Sequence, residues 1–101
     1  MTRSFASFRD FYPFYLSEHS EPGCRRLHFV GTTLVFACLL AALVTRNPWW
    51  LVGVPLCGYG FAWLGHFAVE HNRPATFSHP LYSLAGDFAM FRDMLMGRIP
   101  W

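Results

Sequence analysis

The chain has no lysine, and charge of either sign is scarce. Only 14% of its 101 residues are charged, and all eight basic residues are arginine, whereas about a quarter of a soluble domain is charged. A nucleic-acid-binding surface needs a basic stripe or cluster on a polar face. Here the net charge is +2, and the only adjacent basic pair, Arg25-Arg26, directly precedes an apolar run. Nucleic acid is excluded as a partner. Cysteine is also sparse: Cys24, Cys38 and Cys57 are odd in number and far apart, with no Cys-x-x-Cys pair. That excludes a disulfide framework or a zinc ribbon and leaves the three as small buried hydrophobes. No internal repeat or low-complexity tract is present.

What the chain does have is apolar surface. Hydrophobic residues make up 53% and aromatics 19%, with 11 phenylalanines. A single domain of this size, residues 1–101, has too little interior to hide so much in water, so the expected solvent is a bilayer. Residues 27–44 are almost wholly apolar and end at Arg46-Asn47-Pro48; residues 49–69 form a second run broken only by small residues, Pro55 and His66. At ~1.5 Å per residue each run approaches the ~30 Å of a hydrocarbon core. A secretory leader does not fit the first run, because the preceding segment is long, aromatic and partly acidic, with no small-residue cleavage site after it.

The expected fold is an all-α membrane protein: a transmembrane helical hairpin, about 27–44 and 49–69, flanked by N-terminal and C-terminal interfacial or packed helices. Ser7 and Asp10 mark the start of the N-terminal helix, which is expected to kink or restart near Pro13. Glu18 to Gly23 reads as a polar turn broken by Pro22 and Gly23. The C-terminal helix, 80–96, begins at Pro80 behind Ser78 or His79 and ends at Gly97. Trp49 and Trp50 fall where an aromatic belt sits. Arg3, Arg9, Arg25 and Arg26 precede the hairpin and Arg73, Arg92 and Arg98 follow it, so the positive-inside rule puts both termini in the cytoplasm.

Ionisable groups at the ends of these runs point to a site. His28 and His66 are each about seventeen residues from the turn, which in an antiparallel hairpin puts both imidazoles at one depth. His19, across the Pro-Gly segment, can fold back over the same spot. Glu70 is four residues beyond His66 and stacks on the same helical face. Ionisable groups at membrane depth are functional candidates by default. Imidazole and carboxylate without thiolate suit iron, manganese or zinc, and a histidine-rich set with open positions suits non-haem Fe(II). His71 points away from Glu70, and His79 lies in a polar turn; both are expected to face solvent. Arg73 could hold a fatty-acid carboxylate at the membrane surface or simply anchor there. Asp87 and Asp93 read as capping or arginine-pairing groups. Met90, Met94 and Met96 read as packing.

His19-x2-Pro22, Arg26-x-His28-x2-Gly31, Gly65-His66-x3-Glu70, Pro74-Ala75 and Pro80-Leu81-Tyr82-Ser83-Leu84-x2-Asp87-Phe88 together resemble a known family. It is the small membrane family that includes the 2-hydroxy fatty acid dioxygenase of phytosphingosine degradation, and the chain resembles its short bacterial branch over nearly its whole length. The resemblance implies Fe(II)-dependent α-oxidation in a bacterial inner membrane. A 2-hydroxy fatty acid would react with molecular oxygen, lose its carboxyl carbon and leave a fatty acid one carbon shorter. It further implies His19, His28 and His66 as metal ligands, with Glu70 a fourth ligand or an orienting group. The alternatives are a non-enzymatic small membrane protein whose histidines are structural or bind a partner, and a haem protein using His28 and His66 as axial ligands. A di-iron lipid hydroxylase would need more clustered imidazoles than the five histidines present.

Overall fold

The computed structural model describes residues 4–101; Arg3, part of the charge asymmetry above, lies outside them. The chain is all-helical, with no strand among the described residues. Helix α1, Phe8–Ser17, starts at Ser7, whose side chain accepts from the Asp10 amide. Pro13 sits inside α1 without ending it, so the helix does not restart there. Helix α2, Pro22–Thr45, begins five residues earlier than the apolar run. Pro22 and Gly23 are therefore helical and do not break the chain: proline is tolerated in the first turn, where its missing N–H would have no partner.

Arg46, in the left-handed conformation, closes α2, and the Asn47 side chain accepts from the Trp49 amide to open the next segment. That segment is helical from Pro48 to Glu70. It enters through a 3-10 turn, Pro48–Val52, continues as α3, Gly53–Leu64, and leaves through one π-helical turn, Gly65–Glu70. A short 3-10 turn, Ala75–Phe77, leads to α4, Pro80–Leu95. His79 occupies the position before α4, but no side chain caps it.

Both long helical segments are apolar and long enough to cross a membrane, and only 22% and 17% of their most apolar windows are buried inside the chain. A core helix of a soluble protein is mostly buried. Leu40, Leu43, Val44, Leu56 and Trp49 are all largely exposed, a surface that suits lipid and not water. Against lipid, burial gives helices little reason to associate, and close backbone approach at small residues takes over. A Cβ at Gly31 would come within 2.8 Å of the Cys57 carbonyl oxygen, and one at Gly65 within 2.9 Å of the Cys24 sulfur. These contacts fix an antiparallel register in which Cys24 faces Gly65.

Outside the hairpin the packing is aromatic. Phe11 and Tyr15 of α1 are fully buried with Met90 and Met94 of α4, each such side chain contributing about 1.5–3 kcal/mol. Phe29 and Phe36 of α2 stack with Phe91 and Phe88 of α4. The Tyr12 hydroxyl donates to Asp93, which also meets Arg92 and Arg98. Arginine pairing, one of the two roles expected of these aspartates, is thus found at Asp93. Helices α1 and α4 close over the open end of the hairpin, where the histidines lie.

Candidate metal centre

His19, His28 and His66 are 1%, 4% and 2% exposed. Their ring centroids are 4.4, 4.4 and 5.0 Å apart, and the ring planes stand at 76–90° to one another. The hairpin register brings His28 and His66 together in an unexpected way. With Cys24 opposite Gly65, the backbone of His28 is one turn nearer the hairpin tip than that of His66, so the two are not at equal depth. Helical side chains lean towards their own N-terminus. In antiparallel helices that leans His28 away from the tip and His66 towards it, which closes the gap.

Each imidazole is held by its Nδ1. His19 Nδ1 donates to the Tyr15 carbonyl at 2.6 Å, in the last turn of α1, where that oxygen also accepts from the Glu18 amide. His28 Nδ1 donates to the Cys24 carbonyl at 2.9 Å. His66 Nδ1 lies 2.7 Å from the Asn72 side-chain oxygen. The Asn72 amide nitrogen donates to the carbonyl and carboxylate of Glu18, which fixes its oxygen as the acceptor from His66. Carbonyl and amide oxygens only accept, so all three Nδ1 atoms carry the proton and all three Nε2 atoms carry a lone pair.

His19 Nε2 and His28 Nε2 then face each other at 3.1 Å. Two lone pairs at that distance repel unless a cation lies between them. A proton would satisfy one pair; a metal ion would satisfy all three. Two imidazole nitrogens each about 2.0–2.1 Å from one ion stand roughly 3 Å apart when their bonds meet at right angles, so the spacing fits a shared first-row metal. An Nδ1–H held by a backbone carbonyl or a fixed amide is the usual support of a metal-binding histidine. Burial, reinforced by the two neighbouring imidazoles, holds His19 well below its ordinary value and so in the neutral form a metal requires.

One nitrogen from each histidine and the Cys24 sulfur all lie within 4.8 Å of one another. Cys24 is fully buried, as its reading as a small hydrophobe expects, but it is also part of the cluster. Its sulfur rests 3.7 Å from Nδ1 of His28, the edge of the ring away from Nε2.

Glu70 lies outside this group of ligand atoms. The π turn is wider than an α turn, so residues four apart no longer stack as they do on a regular helix. The Glu70 carboxylate accepts from the Glu21 amide at 2.6 Å and from the Ser20 hydroxyl at 3.3 Å. It thereby caps α2, which has no side-chain cap of its own. Arg73 is exposed, lies over the Phe77 ring and borders a separate cavity of about 230 Å³ with Glu18 and Ser78. It is not brought to the histidines. His71 is exposed, as expected. His79 is not: it is half-buried among the rings of Phe5, Phe11 and Phe14, because α1 folds over the start of α4.

Beside the trio lies an apolar cavity of about 160 Å³, walled by α2, α3 and α4. Val35, Val54, Pro55 and Phe88 line it, with His28 and Asp87 among its polar groups. Burial pushes the Asp87 carboxyl up to about 6, against the opposing effect of a hydrogen bond from the Tyr15 hydroxyl. The Tyr15 ring in turn stacks on His19 at 4.1 Å. Asn72, Cys24, Tyr15 and Asp87 were not singled out by sequence reasoning as parts of a site. The four-residue spacing of Cys24 and His28, and the place of Asp87 in the Pro80-to-Phe88 motif, are the signals that could have found two of them.

A family model described as 2-hydroxy-palmitic acid dioxygenase Mpo1-like matches residues 5–99. No curated protein and no solved structure matches the chain. The matched span takes in all three histidines, their Nδ1 partners and the neighbouring cavity, and the chain belongs to the Mpo1-like family.

Proposed function

We propose that this protein is a membrane-embedded, Fe(II)-dependent dioxygenase that removes the carboxyl carbon of 2-hydroxy fatty acids. The observation that carries this reading is the trio of buried histidines, each tied by Nδ1, beside an apolar cavity that reaches His28. The family description supplies the reaction class. Zinc has no redox chemistry, so the reaction class favours iron among the metals that imidazole accepts. Bound there, Fe(II) would supply the means for molecular oxygen to react with an organic acid.

The protein's own groups do the remaining work. His19, His28 and His66 would hold the ion, and as neutral ligands they would leave the site with a net positive charge suited to a carboxylate. The cavity walls take the first part of the acyl chain. Closed ligand pockets usually span ~300–1,000 Å³, so a long tail continues past this one into the surrounding lipid. Glu70 positions the site: by capping α2 through Glu21 and Ser20 it fixes the loop that carries His19. Arg73, outside the trio, draws the acid to the surface. The arginine distribution supports a topology with this open end of the hairpin, and both termini, on the cytoplasmic face. A bacterial inner membrane is the setting this reading takes from the short bacterial branch.

The chemistry balances without a further reagent. A 2-hydroxy acid and one O2 give the acid one carbon shorter, CO2 and water. The bond between C1 and C2 breaks, and the substrate provides all four electrons that oxygen takes up. Iron-loaded protein in detergent, supplied with 2-hydroxyhexadecanoate, is expected to consume one O2 and release one CO2 per pentadecanoate formed. Oxygen uptake no faster than in the iron-loaded His28→Ala variant would overturn the reading.

A further inference from the structure

Asp87 is the one carboxylate in the lining of the cavity beside the histidines. Its position is fixed from α1. Tyr15 is fully buried, with its ring against the backbone of α4 so closely that a Cβ at Gly86 would come within 2.7 Å of it. The Tyr15 hydroxyl donates to Asp87 Oδ1. The same residue stacks its ring on His19 and accepts the His19 Nδ1 proton at its backbone carbonyl, so one residue of α1 holds both Asp87 and His19. Asp87 Oδ2 has no hydrogen-bond partner among the described residues. Asp87 is half-buried and Oδ2 is not among the sealed, unpartnered polar atoms, so this oxygen is free to accept from a group that enters the cavity.

A molecule filling the cavity can supply the donor for Oδ2. Thr32 and Tyr59, also in the lining, carry hydroxyls that can give or accept a hydrogen bond, but an ionised aspartate only accepts. An ordinary fatty acid, once ionised, has no donor at its head and would set carboxylate against carboxylate. A 2-hydroxy acid has one donor, on the carbon next to its carboxylate.

We propose that Asp87, held in place by Tyr15, recognises the 2-hydroxyl group of the substrate and excludes acids that lack it. The carboxylate is directed to the histidine side of the cavity and the hydroxyl to Asp87 Oδ2. This rests on the reading that the cavity receives a 2-hydroxy fatty acid, and it adds the residue that selects for the hydroxyl. A site built to accept a substrate hydroxyl's hydrogen bond discriminates far more strongly than one that only accommodates its volume.

The test is equilibrium binding to the iron-loaded, detergent-solubilised protein without oxygen, so that its result does not depend on turnover. Three probes are compared: 2-hydroxyhexadecanoate, 2-fluorohexadecanoate, whose fluorine is similar in size to a hydroxyl but cannot donate, and hexadecanoate. Wild-type protein is expected to prefer the hydroxy acid by at least about 100-fold over both others. In Asp87→Leu the preference is expected to fall to within about fivefold, with iron content unchanged. Equal binding of the hydroxy and fluoro acids by wild type overturns the proposal, and this arm stands even if Asp87→Leu does not fold. A preference that survives in Asp87→Leu also overturns it, because it then belongs to the metal. Failure of oxygen uptake with intact discrimination would count against the dioxygenase reading alone.

Discussion

Asn72 decides what His66 can do. Its side-chain oxygen holds the Nδ1 proton of His66, and its nitrogen is held by Glu18, so the lone pair of His66 is committed to Nε2. The residue is six positions beyond its histidine, past the end of the π turn, and no helical spacing links them. That is why the three histidines were legible in the sequence while the group that orients one of them was not. His28 and His66 were marked by their place at the ends of apolar runs, where an idle imidazole is costly. Cys24 read as a small buried hydrophobe and Asp87 as a capping or arginine-pairing group, because nothing local distinguishes a side chain facing a cavity from one facing a neighbour. Asn72→Ala is expected to weaken iron binding by about 10–100-fold with helical content unchanged, as read by competition with a chelator. Unchanged affinity would remove Asn72 from the site.

At the scale of elements, the hairpin was readable and its ends were not. Runs 27–44 and 49–69 gave two spans that the structure extends to Pro22–Thr45 and Pro48–Glu70. The extension at Pro22 depends on a carboxylate fifty residues away in sequence: Glu70 supplies the cap that Glu21 does not. The π turn Gly65–Glu70 was equally hidden, since the hydrophobic pattern does not separate a π turn from an α turn, yet it carries His66 and turns Glu70 towards α2. Turns of this kind often occur at functional sites. Removing a helix cap costs about 0.5–2 kcal/mol. Glu70→Ala should therefore lower the thermal midpoint in detergent by a comparable free energy while still binding one iron per chain at saturation. Loss of iron at saturation would make Glu70 a ligand.

At the scale of the molecule, one physical circumstance ties the parts together. A 101-residue chain that is 53% hydrophobic leaves most of its two long helices uncovered by protein, so lipid covers them and the small interior is free to be used as a site. The interior is concentrated where α1 and α4 close over the open end of the hairpin. There α1 contributes Tyr15, the segment after it His19, α2 His28, the π turn His66, and α4 Asp87. The histidines and their neighbours therefore come from segments far apart in sequence, and tertiary packing brings them together. The measurement that tests this most directly is the metal content of the protein purified without oxygen, alongside the His66→Ala variant. About one iron per chain is expected in the wild type, as three imidazoles on one ion require, and its loss in the variant. No iron in the wild-type protein after reconstitution with Fe(II), or equal iron in both proteins, would contradict it.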